Sequence, residues 1–199
     1  MTGKTKWFLP APALVLALVC WKLLALTASS EDLFVRRFGE QIRVIAPRMH
    51  FLSGKSLERL RDGAAVPFDF QFSISAGLRN NVIQRAVERF TVSYDVWEEK
   101  FRVVRLRDFH KSTAGLTASA AESWCLENLT LSTTGLPADK ELWAHLDIRA
   151  AEPKDILAAS GTSGISIPAL IQLLSRPPHP QQDHWALESA SFRLADLRP

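Results

Sequence analysis

After the first thirty residues, apolar and polar positions alternate with period two in several runs, and each such run predicts a strand with one face toward a core. The clearest is Val66 to Ser75: Val66, Phe68, Phe70, Phe72 and Ile74 are set to point inward, and Asp69, Gln71, Ser73 and Ser75 toward water. Phe90, Val92 and Tyr94 alternate with Arg89, Thr91, Ser93 and Asp95, and Phe101 and Val103 resume the pattern after Asp95 to Glu98. That spacing predicts a hairpin. Leu142, Ala144, Leu146 and Ile148 form another run, Trp185 to Leu194 a later one and Gln41 to Phe51 an earlier one, for about six or seven strands in all.

Short helical stretches interrupt the strands. Ser53 is placed to cap a helix over Gly54 to Asp62, with Leu52 and Leu57 as a hydrophobic staple and Gly63 as the stop. Thr117 can cap Ala118 to Leu129, where Ala121, Trp124, Cys125 and Leu129 share one face. Ser166 followed by Pro168 predicts a brief helix through Ser175. The stretch Ser160 to Gly164 and the prolines Pro177, Pro178 and Pro180 read as linkers. Half-buried alternating strands with two or three short helices predict a mainly β, antiparallel β-sandwich-like domain.

The N-terminus follows a different pattern. Lys4 and Lys6 precede an almost continuous apolar run from Trp7 to Ala28, which ends before Ser29, Ser30, Glu31 and Asp32. About 22 such residues span about 33 Å as a helix, enough to cross a bilayer, and the basic flank holds that end in the cytoplasm. Residues 1–30 are therefore expected to act as a signal anchor or signal peptide, 31–40 as a juxtamembrane linker and 41–199 as one β-rich globular domain. The expected location is the inner membrane, single-pass with the domain in the periplasm, or the periplasm itself if the leader is cleaved. Lys22 within the run disfavours a fully centred span, whereas Thr27, Ala28 and Ser29 offer small residues for cleavage.

Charge changes meaning once this segment is set apart. The chain has 24 basic and 21 acidic residues, but Lys4, Lys6 and Lys22 lie in the leader, so the remainder is formally neutral. A nucleic-acid partner is not expected, because binding phosphates requires a surplus of Lys and Arg. A local basic excess remains at Arg36, Arg37, Arg43, Arg48, Lys55, Arg59 and Arg61, read as a solvated face. Of the two cysteines, Cys20 is in the leader and Cys125 reads as a small buried hydrophobe, so no disulfide framework is expected.

Local motifs give little chemistry. Gly54, Lys55 and Ser56 resemble the end of a phosphate-binding loop, but Met49 stands where that loop needs glycine. Gly161 to Gly164 around Ser163 resembles a nucleophile elbow, but Ile165 replaces its second glycine. His179, Asp183 and His184 match no metal-ligand spacing, and neither a metal nor a cofactor is expected. On one strand, Trp143, His145, Asp147 and Arg149 project to the face opposite Leu146 and Ile148, and Trp97 sits in the predicted hairpin turn. These five residues are the binding candidates; no catalytic residue is assigned.

The ordered set Leu52, Ser53, Leu57, Leu60, Gly63, Val66, Pro67 and Phe68, then Arg89, Tyr94, Phe101 and Val103, then Leu146 and Asp147, and finally Trp185, Leu187 and Ser189 resembles a bacterial domain-of-unknown-function family, number forty-three ninety. The resemblance covers Gln41 to Leu194. It implies an envelope protein with an N-terminal hydrophobic segment and one small domain, and a sensor kinase as a partner through gene neighbourhood. No catalytic residue carries over. The expected function is an extracytoplasmic module that engages a protein or lipid-like partner and is attached to the membrane through its N-terminal helix. The alternative is a hydrolase-like enzyme processing a small ligand with His145 and Asp147, favoured if a concave pocket converges on His145.

Overall fold

The computed structural model describes residues 33–107, 111–152, 160–161, 164–165, 167–178 and 182–197. The apolar run from Trp7 to Ala28, and with it Cys20, lies outside these, as do Ser163, Ser166, His179 and Pro180. Among the described residues no helix is long and apolar enough to cross a membrane.

Among the described residues the fold is mainly β, with two principal antiparallel sheets and three α-helices. Strands β1 (Phe34–Phe38) and β2 (Gln41–Ile45) form a hairpin that β7 (Thr130–Ser132) extends into a three-stranded sheet. The six-stranded sheet is built on β3 (Val66–Ala76), β4 (Val82–Asp95), β5 (Lys100–Arg105) and β6 (Ser112–Leu116) in sequential order. On the other side of β3 it adds β8 (Leu142–Ala150), then β11 (His184–Glu188). Helix α1 (Gly54–Arg61) precedes β3, α2 (Ala118–Glu127) follows β6, and α3 (Ile167–Ser175) lies between β8 and β11.

The predicted inward face of β3 is borne out. Val66, Phe68, Phe70, Phe72 and Ile74 are all fully buried, matched by Leu146 and Ile148 of β8 and by Phe90 and Val92 of β4. Phe51 meets Phe68 and Phe70 edge-on at 5.1 and 5.2 Å, Phe70 meets Phe90 at 5.1 Å, and Phe90 meets Trp124 of α2 at 5.9 Å. Rings in this geometry set positive edge against negative face and fill volume together. Ile42 and Val44 of β2, Leu60 of α1 and Cys125 of α2 close the same core.

Several expectations are corrected. The folded body starts before residue 41, because Leu33 is buried and bridges Ser189, and β1 forms where a linker was expected. The first predicted strand stops at Ile45 rather than Phe51, with a turn at Pro47. The Ser160 to Gly164 stretch is not a plain linker: β9 (Ser160–Gly161) pairs antiparallel with β10 (Gly164–Ile165). Ser53 does not cap α1 with its hydroxyl, which donates to the His50 carbonyl at 2.9 Å. The cap comes from Asp183, whose Oδ2 accepts from the Ser56 amide at 2.6 Å. Thr117 does cap α2, accepting from Ala120 at 3.3 Å.

The largest correction concerns the second face of the six-stranded sheet. Asp69, Ser73 and Ser75 were expected to face water, yet they are 1%, 2% and 3% exposed. Helix α3 packs there, its Leu170 and Leu174 against Val87 of β4. The helix excludes solvent from a polar surface, so buried charges must pair instead of hydrating.

Candidate functional site

Strand register assembles the second face row by row, since residues directly opposite share a face. His184, Arg149, Asp69 and Arg89 form one row across β11, β8, β3 and β4. Ala186, Asp147, Gln71 and Val87 form the next, and Glu188, His145, Ser73 and Arg85 the third. Trp143 and Ser75 follow, beside the start of β4 at Val82.

The first two rows hold a buried ionic layer. Arg89 grips both carboxylate oxygens of Asp69, with Nη2 to Oδ2 at 2.6 Å. Asp147 accepts from Arg149 Nε at 2.9 Å through one oxygen and meets His184 Nε2 at 2.8 Å through the other. Arg149 also donates from Nη1 to the carbonyl of Arg176, just past the last residue of α3. A cation at that helix end binds carbonyls that have no partner within the helix and suits the local dipole. Asp147 and Arg149 therefore anchor α3 to the sheet.

The third and fourth rows open into a groove of about 330 Å³, lined by residues that include Gln71, Ser73, Ser75, Arg85, Trp143 and His145. Arg79 and Glu188 stand at its sides and pair at 2.9 Å. Exposed Leu78, Val82 and Ile83 crowd the β3–β4 turn at the same end of the sheet. The Gln71 side-chain oxygen is buried and has no hydrogen-bond donor among the described residues. In native proteins such an atom is uncommon and calls for a partner.

Of the five binding candidates, Trp143 and His145 line the groove, while Asp147 and Arg149 are committed to the ionic layer beside it. His145 and Asp147 share a face, as the alternation predicts, but Asp147 bonds to Arg149 and His184 and not to His145. Trp97 is 96% exposed at the β4–β5 turn. It lies at the far end of the 14-residue β4, roughly 40 Å along the strand from the row that holds Trp143, so the structure does not join the two. Sequence reading missed Arg79, Arg85, Glu188, Ser73 and Ser75. The β3–β4 hairpin turn offered a signal for Arg85 alone, by counting back across it, whereas Glu188 arrives through a pairing distant in sequence.

Among the described residues no group of three or more side chains could hold a metal ion. Asp183 and His184 are used in the α1 cap and in the contact with Asp147. Cys125 is fully buried, and desolvation, followed by the nearby Glu122 carboxylate, pushes its thiol well above the ordinary value of 9.0. Such a thiol keeps its proton and is a poor nucleophile. Compared with known protein families, curated proteins and solved structures, the chain matches none.

Proposed function

We propose that the protein is a membrane-tethered, extracytoplasmic binding module, and that the groove beside α3 holds a segment of a protein partner in the cell envelope. The observation that carries the partner site is the composition of the groove. It combines a large aromatic ring, Trp143, two arginines and an unpaired buried amide oxygen with Val82, at a turn where Leu78 and Ile83 are also exposed. Aromatic and arginine anchors beside exposed apolar residues are the chemistry of protein interfaces. The apolar run from Trp7 to Ala28 behind two lysines supports the tether and, with it, an envelope setting. The β-sandwich description belongs to this reading too: the three-stranded sheet and helices α1 and α2 pack over the inner face of the larger one.

His145 does line a concave groove, the feature that would favour the enzyme alternative, but binding is favoured because no nucleophile or acid–base partner bonds to His145 among the described residues, and because Asp147 is already engaged by Arg149 and His184. A photocrosslinking residue at Trp143 in the full chain, expressed in cells, tests the site. A discrete protein adduct from Trp143, absent when the same residue replaces Arg102 on β5, supports the reading. No adduct from either position, or the same adducts from both, would refute it.

A further inference from the structure

One face of the β1–β2 hairpin concentrates arginine and phenylalanine. Through the register Phe34↔Ile45, Arg36↔Arg43 and Phe38↔Gln41, these six residues share a face, while Ile42 and Val44 enter the core from the other. Two arginines are thereby set at directly opposite positions of the hairpin, which like charge makes unfavourable until an anion neutralises them. Arg43 stacks over the Phe38 ring at 4.7 Å, and its Nε is buried with no acceptor among the described residues. Phe34 and Phe38 are 51% and 45% exposed on either side of Arg36. A hollow of about 430 Å³ opens beside them, lined by residues that include Arg36, Phe38, Arg43, Pro47 and Leu126, with Glu127 its acidic member.

We infer that this face seats on the headgroup layer of the bilayer, where Arg36 and Arg43 take up the phosphates of anionic phospholipids and Phe34 and Phe38 enter the interface. Charge complementarity is one support: two facing arginines that both line the hollow match phosphate oxygens presented side by side. Chain length is the other. The apolar run ends at Ala28 and β1 starts at Phe34, so the connecting residues reach about 20 Å at full extension. This inference rests on the tether reading above and is independent of the groove. With the run in the membrane, β1 cannot stand far from the lipid surface.

Hydrogen–deuterium exchange over residues 34–45 of the full chain, mixed with lipid nanodiscs, tests it. Exchange should slow in discs containing phosphatidylglycerol relative to discs of phosphatidylcholine alone. The slowing should weaken about five-fold with each of Arg36→Gln and Arg43→Gln, from the attraction of a single arginine to an anionic surface. Arg36→Lys and Arg43→Lys should retain it, which separates lost charge from local damage. Trp143→Ala should leave it unchanged. Equal exchange in the two kinds of disc, or slowing that survives both glutamine replacements, would overturn the inference. The same slowing from inorganic phosphate without anionic lipid would also overturn it, by marking a free-anion site. Co-elution of the chain with the discs reports the tether separately, and the same outcomes apply if the chain remains beside them.

Discussion

Arg89 and Asp69 lie directly opposite on neighbouring strands of the six-stranded sheet, each 1% exposed, joined by two hydrogen bonds. A buried pair of this kind gains little over an apolar pair of the same size, because both ions give up hydration. Breaking it is another matter, since one charge is then left buried without its partner.

Asp69→Ala is accordingly expected to destabilise the domain by about 3 to 5 kcal/mol. Asp69→Leu combined with Arg89→Met should recover most of that loss. Urea unfolding midpoints check both. Single variants close to the parent protein would mean that water or another acceptor compensates Arg89.

The two faces of β3 give a second expectation. Phe70→Asp places an unpaired carboxylate among Phe51, Phe90 and their neighbours and should prevent folding. Gln71→Asp, which alternation alone would tolerate, faces Asp147 directly across β8 in a half-buried row. Repulsion and desolvation there should cost about 1 to 3 kcal/mol. Gln71→Asp should melt below the parent and Phe70→Asp should show no cooperative melting; a Gln71→Asp protein as stable as the parent would contradict the covered second face.

Cys125 supplies a pH dependence. Its folded thiol titrates well above 9.0 because of burial and then Glu122, whereas the unfolded thiol ionises near its ordinary value. Below that value both states hold the proton and the group contributes no slope. As pH rises through and beyond it, the unfolded state releases the proton first and stability falls. Cys125→Ala should flatten that alkaline decline. The native thiol should also react with maleimide no faster than the protein unfolds, and fast labelling under native conditions would count against its burial.

The inward face was legible because Val66, Phe68, Phe70, Phe72 and Ile74 announce themselves at period two. The second face was not, because Asp69, Ser73 and Ser75 are polar and polarity usually means water. Part of that face is closed by α3, whose Leu170 and Leu174 pack on Val87 and lie about a hundred positions later in the chain. β1 was obscured by Arg36 and Arg37 inside a five-residue strand, and the α1 cap by a donor–acceptor pair 127 positions apart. Within the groove, Trp143 and His145 followed from alternation on β8. Arg85 could be reached by counting back across the β3–β4 turn, but Arg79 and Glu188 join them through a contact 109 positions apart that no local pattern encodes.

The proposed function requires that the first thirty residues hold the body outside the cytosol. The most direct measurement fuses to the C-terminus of the full chain a reporter enzyme that becomes active only when exported. An active fusion, lost when Trp7 to Ala28 is deleted, is the predicted result. An inactive fusion, together with a C-terminal tag labelled only from the cytosolic side, would contradict the account at its root.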